Sequence, residues 1–227
     1  MTEFRAWVLL ITVPALCVAL FLWMAPPRHN PFAPVDLTER PGLGTWHKLT
    51  RVKKNRELCF RALDDAGVLY TPLPDSPKGE KCGLYNGLTL DRTLTPYSAT
   101  LRMTCAETAA LYVWERHVAR PAAIKYFSTP IARIETYGSF SCRNIAGSGR
   151  LSEHAASNAI DISGFRLEDG RLIDVKTFWG KGGKEDQFLH LVHDRACGLF
   201  SVTLGPDYNA AHADHFHMDM GSGRACR

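Results

Sequence analysis

The sequence predicts an α+β fold, with a mainly antiparallel sheet flanked by helices and preceded by a single N-terminal transmembrane helix. Three observations predict it. Residues 6–25 form an uncharged apolar run. Beyond it, segments with helical periodicity come first and strand-like segments cluster later, the order expected when helices and an antiparallel sheet segregate. Glu168-Asp169-Gly170-Arg171, between two of the strand-like segments, is a hairpin signal.

The apolar run contains Trp7, Leu9, Leu10, Ile11, Val13, Leu16, Val18, Leu20, Phe21, Leu22 and Trp23. About 20 apolar residues span a bilayer as one helix. Trp7 and Trp23 stand near its two ends, where indole rings favour the interface, and a membrane helix tolerates Pro14. The run closes on Leu22-Trp23-Met24-Ala25, a poor cleavage site, so an uncleaved anchor is expected rather than a removed signal peptide. Arg5 and the amino terminus on one side and Arg28 on the other give only a weak charge bias. Pro26, Pro27, Pro31, Pro34 and Pro41, with Gly42 and Gly44, predict an extended tether. The expected organisation is therefore an anchor over 1–25, a linker over 26–45 and a folded domain over 46–227, long enough to bury a sizeable core.

Within that domain Asn55–Ala66 reads as a helix, with Leu58, Ala62 and Ala66 at spacing four and Gly67 as its stop. A loop follows over Pro72–Pro77. A second helix is expected over Thr104–Val118, ending before Pro121, with Leu111, Trp114 and Val118 on one face. Ile131–Tyr137, Ala159–Phe165 and Leu172–Phe178 read as strands. A third helix spans about Glu185–Ala196, with Phe188, Leu189, Val192 and Ala196 inward. Leu199–Leu204 and Phe216–Met220 read as the last two strands.

Composition narrows the function. With 45% hydrophobic and 22% charged residues the chain is an ordinary globular protein. Its formal charge of +4 makes no basic stripe, and no nucleic-acid-binding module is present. Cys17 lies in the apolar run. Cys59, Cys82, Cys105, Cys142, Cys197 and Cys226 are even in number, scattered, and not in CxxC pairs. Behind an export signal such cysteines read as disulfides formed in an oxidising compartment. Pairing of sequence neighbours, Cys59 with Cys82 for example, is one option among many. The expected location is the cytoplasmic membrane, single-pass, with the folded domain in the periplasm or outside the cell.

The chemistry-bearing residues fall in two short windows, Ser152–Asp161 and His212–Asp219. Side chains alternate faces along a strand. In His215-Phe216-His217-Met218-Asp219-Met220 the apolar residues are all even and the polar ones all odd, so Phe216, Met218 and Met220 face a core and His215, His217 and Asp219 face a cleft. By the same rule Ile160 and Ile162 go inward and Asp161 turns outward. His154, Asp161 and His217 make a two-histidine, one-carboxylate set of the kind that holds a catalytic zinc with one position open. His117, His190 and His193 lie in helical patterns and read as structural or solvent-facing.

At these residues the chain resembles a known family. Cys142-Arg143, then Ser152-Glu153-His154-Ala155 with Asn158-Ala159-Ile160-Asp161, then Leu204-Gly205-Pro206-Asp207-Tyr208-Asn209 and His212-Ala213-Asp214-His215-Phe216-His217, resemble the bacterial extensin-like C-terminal domain family over about residues 46–227. The pattern is also similar to that of zinc D-Ala-D-Ala carboxypeptidases and penicillin-insensitive murein endopeptidases. Their Ser-x-His-x-x-Gly-x-Ala-x-Asp segment maps onto Ser152, His154, Ser157, Ala159 and Asp161, with Ser at 157 in place of Gly. A turn needing positive φ there would be strained. The resemblance implies Zn²⁺ held by His154, Asp161 and His217, and activity on the peptides of peptidoglycan. It implies Arg143 as a partner for a substrate carboxylate or oxyanion, and leaves two candidates for the base. Asp214 fits the carboxypeptidase pattern. His215 fits the endopeptidase pattern and alternation favours it, with Asp214 then holding an imidazole ring through its N–H. The alternative to an enzyme is a cell-wall-binding or assembly module that keeps the fold without cleaving.

Overall fold

The computed structural model describes residues 2–77 and 81–227. Helix α1 (Thr2–Met24) contains an 18-residue stretch, Trp7–Met24, long and apolar enough to cross a membrane. Its large side chains are exposed, Leu16 and Trp23 among them. Residue 1 lies outside the described residues.

The segment expected to be an extended tether with no core of its own is laid down on the domain. Leu37 is 2% exposed and belongs to the main hydrophobic cluster, with Val35 packed beside it. The Arg51 guanidinium donates to the carbonyls of Pro31 and Ala33, both at 3.0 Å. Proline sets the backbone extended, but it does not stop an extended segment from covering apolar surface and having its carbonyls satisfied.

Two helices follow, α2 (Thr45–Lys54) and α3 (Arg56–Asp65). Only α3 was legible in the periodicity. Its N-cap is Asn55, whose side chain accepts from the Leu58 amide. Then comes a small antiparallel sheet that the sequence reading did not anticipate: β1 (Leu69–Pro72), β2 (Gly87–Arg92) and β3 (Leu101–Thr104) in the order β1-β2-β3. Strands therefore begin before the main helices, although the α+β class stands.

Helix α4 (Cys105–Trp114) is buried along its whole length, the mark of a central helix rather than a surface one. It does not stop before Pro121. A π-helical turn over Glu115–Ala119 leads directly into α5 (Arg120–Phe127), and Ser128 closes α5 with a left-handed φ of 55°. The wider π-helical turn ahead of Pro121 accommodates its ring and its missing N–H without ending the helical run.

The second sheet has six strands: β4 (Ile131–Gly138), β5 (Ala159–Leu167), β6 (Leu172–Asp174), β7 (Val202–Leu204), β8 (Phe216–Asp219) and β9 (Ala225–Cys226). The order is β4-β5-β8-β7-β9, with β6 also paired to β5. All pairings are antiparallel except β7 with β9. The hairpin between β5 and β6 turns at Gly170, φ 88°. Strand β6 is shorter than expected. The Asp174 side chain accepts from the Thr177 amide and starts a helical turn, α6 (Val175–Phe178). The last helix, α7 (Gly183–Ala196), buries Phe188, Leu189, Val192 and Ala196 as its periodicity predicts. Strand β7 likewise starts three residues later than expected.

Helices α4 and α7 pack on one face of this sheet. Phe165 of β5 lies 6.0 Å from Trp114 and 5.0 Å from Phe188 between ring centroids. The Trp114 indole N–H donates to the Val192 carbonyl at 2.9 Å, so its one polar atom is satisfied inside the core. Ile160, Ile162, Phe216 and Met218 fill the same face, all fully buried.

Three disulfides tie the layers: Cys59–Cys105, Cys82–Cys142 and Cys197–Cys226. Cys17 is the free cysteine among the described residues. The neighbour pairing of Cys59 with Cys82 is wrong. Cys59 sits on the buried face of α3, against the first residue of α4, while Cys82 lies in a loop and reaches the segment after β4.

Candidate metal centre

With helices on one face of the β5–β8 pair, the odd-numbered polar residues face the other way. Asp161 on β5 and His217 on β8 are register partners. His154 arrives from a 3₁₀ turn, Glu153–Ala156, just ahead of β5. Ser152 caps that turn by accepting from the His154 amide at 3.3 Å, which is a structural duty. The turn ends at Ser157 in the left-handed region, φ 54°. That position does require positive φ, and Ser adopts it. Its hydroxyl is buried without a hydrogen-bond partner among the described residues.

The three side chains converge. His154 Nε2 is 3.1 Å from Asp161 Oδ1 and 3.1 Å from His217 Nδ1, and His217 Nδ1 is 3.0 Å from Asp161 Oδ1. Among the described residues this is the one group of His, Cys, Asp or Glu whose ligand atoms come close enough to share a metal ion. The donor set fits zinc. A tetrahedron with bonds of about 2.0–2.1 Å has edges of about 3.3 Å, slightly wider than this triangle.

The outer nitrogens of both rings are already engaged. His154 Nδ1 donates to the Ser139 carbonyl at 2.8 Å, and His217 Nε2 donates to Asp219 Oδ2 at 3.1 Å. Such outer bonds fix the tautomer and direct the remaining lone pair inward. Two inward lone pairs and a carboxylate oxygen at about 3 Å repel one another unless a cation or a proton lies among them. Accordingly, burial disfavours the His217 imidazolium but Asp161 and Asp219 outweigh it, lifting its pKa to about 9. Burial pushes the Asp161 carboxyl up, yet the bonds from His154 and His217 hold it well below the usual carboxylate range.

His215 stands beside the triangle, its Nε2 3.6 Å from Asp161 Oδ1. Its Nδ1 donates to Asp214 Oδ1 at 2.9 Å. Asp214 is held in turn by the Tyr137 hydroxyl at 3.3 Å, and its carboxyl is lowered chiefly by the bond to His215. Asp214 therefore lies against the outer nitrogen of His215, not against the triangle. His212 completes the rim. Its Nδ1 donates to Asn209 Oδ1 at 2.8 Å, and its ring is 5.3 Å from that of His215. Burial, then His215 and His217, push its pKa down to about 4, so near pH 7 it is neutral.

Arg143 is exposed in the loop that Cys82–Cys142 clamps, and its carbonyl accepts from the Ser152 amide at 3.1 Å. It is near enough to disfavour a charge on His212. His193 is buried and structural, bonded to Asp194 and to the Arg227 carbonyl. Three contributors were missed. Ser139 acts through its carbonyl, which has no sequence signature. Tyr137 gave no signal beyond its place at a strand end. Asp219 was assigned to the right face by alternation, but not to His217.

The family model "Extensin-like protein C-terminus" matches residues 57–227. No curated protein and no solved structure matches the chain.

Proposed function

The chain belongs to the family of extensin-like protein C-termini, and from that premise we propose that it is a zinc-dependent peptidase acting on the stem peptides of peptidoglycan. The observation that carries the reading is His215, aimed at the His154–Asp161–His217 triangle with its far nitrogen held by Asp214. A lone metal-binding triangle suits storage or structure as well as catalysis. A neighbouring imidazole with a lone pair directed at the same point suits proton transfer.

His154, Asp161 and His217 would hold the ion. Zinc, when bound, supplies a Lewis acid that polarises a carbonyl and acidifies water. The chain's own residues do the rest. His215 accepts a proton at Nε2 while Asp214 steadies the ring through its Nδ1–H. Arg143, an always-charged forked donor, stands on an exposed loop where it can meet a substrate carboxylate. Neutral His212 offers a further polar contact without adding positive charge. Export to an oxidising compartment, which the three disulfides imply, and a helix long enough to hold the chain in a membrane suit a substrate that surrounds the cell.

The test is incubation of the zinc-loaded full-length protein with purified peptidoglycan, followed by mass analysis of the products. New peptide termini are expected. If the zinc-loaded protein leaves every peptide bond intact, the hydrolase reading fails and a wall-binding module takes its place.

A further inference from the structure

A second feature lies away from the metal centre, on the helical side of the domain. A groove of about 1260 Å³ is lined by the segment around Thr38–Thr45, by the π-helical turn and α5, and by the end of α7. Its wall carries Arg40, Arg116, Arg120, Lys125 and Arg195 against one acid, Asp194. All five cations are exposed. None forms an ion pair within 4 Å among the described residues. Asp194 is already engaged by His193. Between the charges the lining is mixed, with Val118, Leu191 and a half-exposed Ile124 beside Thr38, Thr45 and His117. Guanidinium groups free of ion pairs beside exposed apolar side chains suit an amphiphile with a phosphate head, because the planar fork matches phosphate oxygens.

The position of the groove says which amphiphile. Its wall at Gly42–Thr45 is fastened to the residues that leave the apolar helix. The Gly44 amide donates to the Arg28 carbonyl at 2.9 Å, and the Leu43 amide to His29 Nδ1 at 3.2 Å. Gly42 packs so closely on Arg28 that a Cβ there would meet its carbonyl oxygen at 2.6 Å. Asn30 reaches back to the Leu22 carbonyl inside the helix, at 3.0 Å. One wall of the groove is thus bonded to residues four and five positions beyond Met24, the last residue of the candidate span.

We infer that this groove binds the headgroup of an anionic phospholipid from the membrane that α1 enters, and so seats the domain on the bilayer. The inference rests on α1 remaining on the chain and not on the metal centre or on hydrolysis.

The probe is dioleoyl phosphatidylglycerol, compared with dioleoyl phosphatidylcholine, added to the full-length protein in detergent micelles. Lipids retained by the protein are counted by native mass spectrometry. The parent is expected to favour the anionic lipid by about tenfold or more, since each cation near an anionic surface is worth about a fivefold change. The preference should fall as salt rises, because exposed charges are screened. The triple variant Arg116→Gln, Arg120→Gln, Arg195→Gln, with near-UV circular dichroism unchanged, should keep the lipids of its apolar helix but lose the preference. A parent with no preference, a preference indifferent to salt, or a folded triple variant as selective as the parent overturns the inference. So does displacement of the lipid by millimolar inorganic phosphate, which would make the groove a site for a soluble anion.

Discussion

Asp161 and His217 face each other directly across β5 and β8, with Asp161 Oδ1 3.0 Å from His217 Nδ1. Two of the three proposed ligands are thus held by the sheet itself, and only His154 depends on a turn. Each of His154→Ala, Asp161→Ala and His217→Ala should therefore bind less than a tenth as much zinc as the parent after dialysis, because two remaining protein ligands are too few. Elemental analysis against protein concentration checks this. Full zinc retention in all three would dispose of the assignment.

His215 and Asp214 should separate in kinetics. His215→Ala is expected to keep zinc and lose about 10² to 10⁴ in rate, the range for a proton-transfer group. Asp214→Asn should lose about 10- to 100-fold, the range for a residue that acts by orienting another. Rates are compared at equal zinc occupancy. An inactive Asp214→Asn beside an active His215→Ala would make the aspartate the base.

Ser157 holds a left-handed φ of 54° and buries a hydroxyl with no hydrogen-bond partner among the described residues. A non-glycine residue there costs about 1–2 kcal/mol, and glycine returns part of that gain as flexibility in the unfolded chain. Ser157→Gly should stabilise the domain by about 1 kcal/mol, read as a higher denaturant midpoint at unchanged slope. Ser157→Ala, which keeps the strain, should gain less. A Gly variant weaker than the parent would show that the hydroxyl has an unseen partner.

Glu107 on α4 is fully buried. Burial, then the charges of Asp219 and Glu153, push its carboxyl well above the ordinary 4.5, with Lys53 opposing. The folded state thus keeps a proton that the unfolded chain gives up near pH 4.5. Stability falls as pH rises through that window, since the native state binds more protons there. Glu107→Gln, which mimics the neutral acid, should be more stable than the parent at pH 7 and similar to it at pH 4. Unfolding midpoints at the two pH values decide. An equal difference at both would remove titration as the cause.

The six soluble cysteines should be oxidised in exported protein, leaving Cys17 as the reactive thiol. Thiol counting under denaturing, non-reducing conditions checks it, and six further free thiols would place the domain on the cytoplasmic side.

What could be read from the chain was what local periodicity controls. Phe216, Met218 and Met220 went inward and His217 outward because a strand has only two faces, and the same rule oriented Asp161. What could not be read depended on partners distant in sequence. Leu88 and Leu90, or Leu101 and Met103, offer too short an alternation to announce β2 and β3. Pro121 reads as a breaker until the π-helical turn before it is known. Cys82 meets Cys142 only because the chain after β4 returns to it. The hydrogen bond that sets the His154 tautomer is accepted by a backbone carbonyl, which every residue has.

His154 and His217 are separated by 63 positions in the chain, and this has a consequence for the order of events during export. A chain that crosses the membrane N-terminus first delivers His154 and Asp161 well before His217. Cys59 and Cys105, and then Cys82 and Cys142, are all across before His154, Asp161 or His217. These two links can therefore close before His217 arrives, whereas Cys197–Cys226 cannot, because Cys226 follows His217. In a chain threaded across unfolded, the proposed metal site is complete only on the far side, and an ion bound there is taken up from that side.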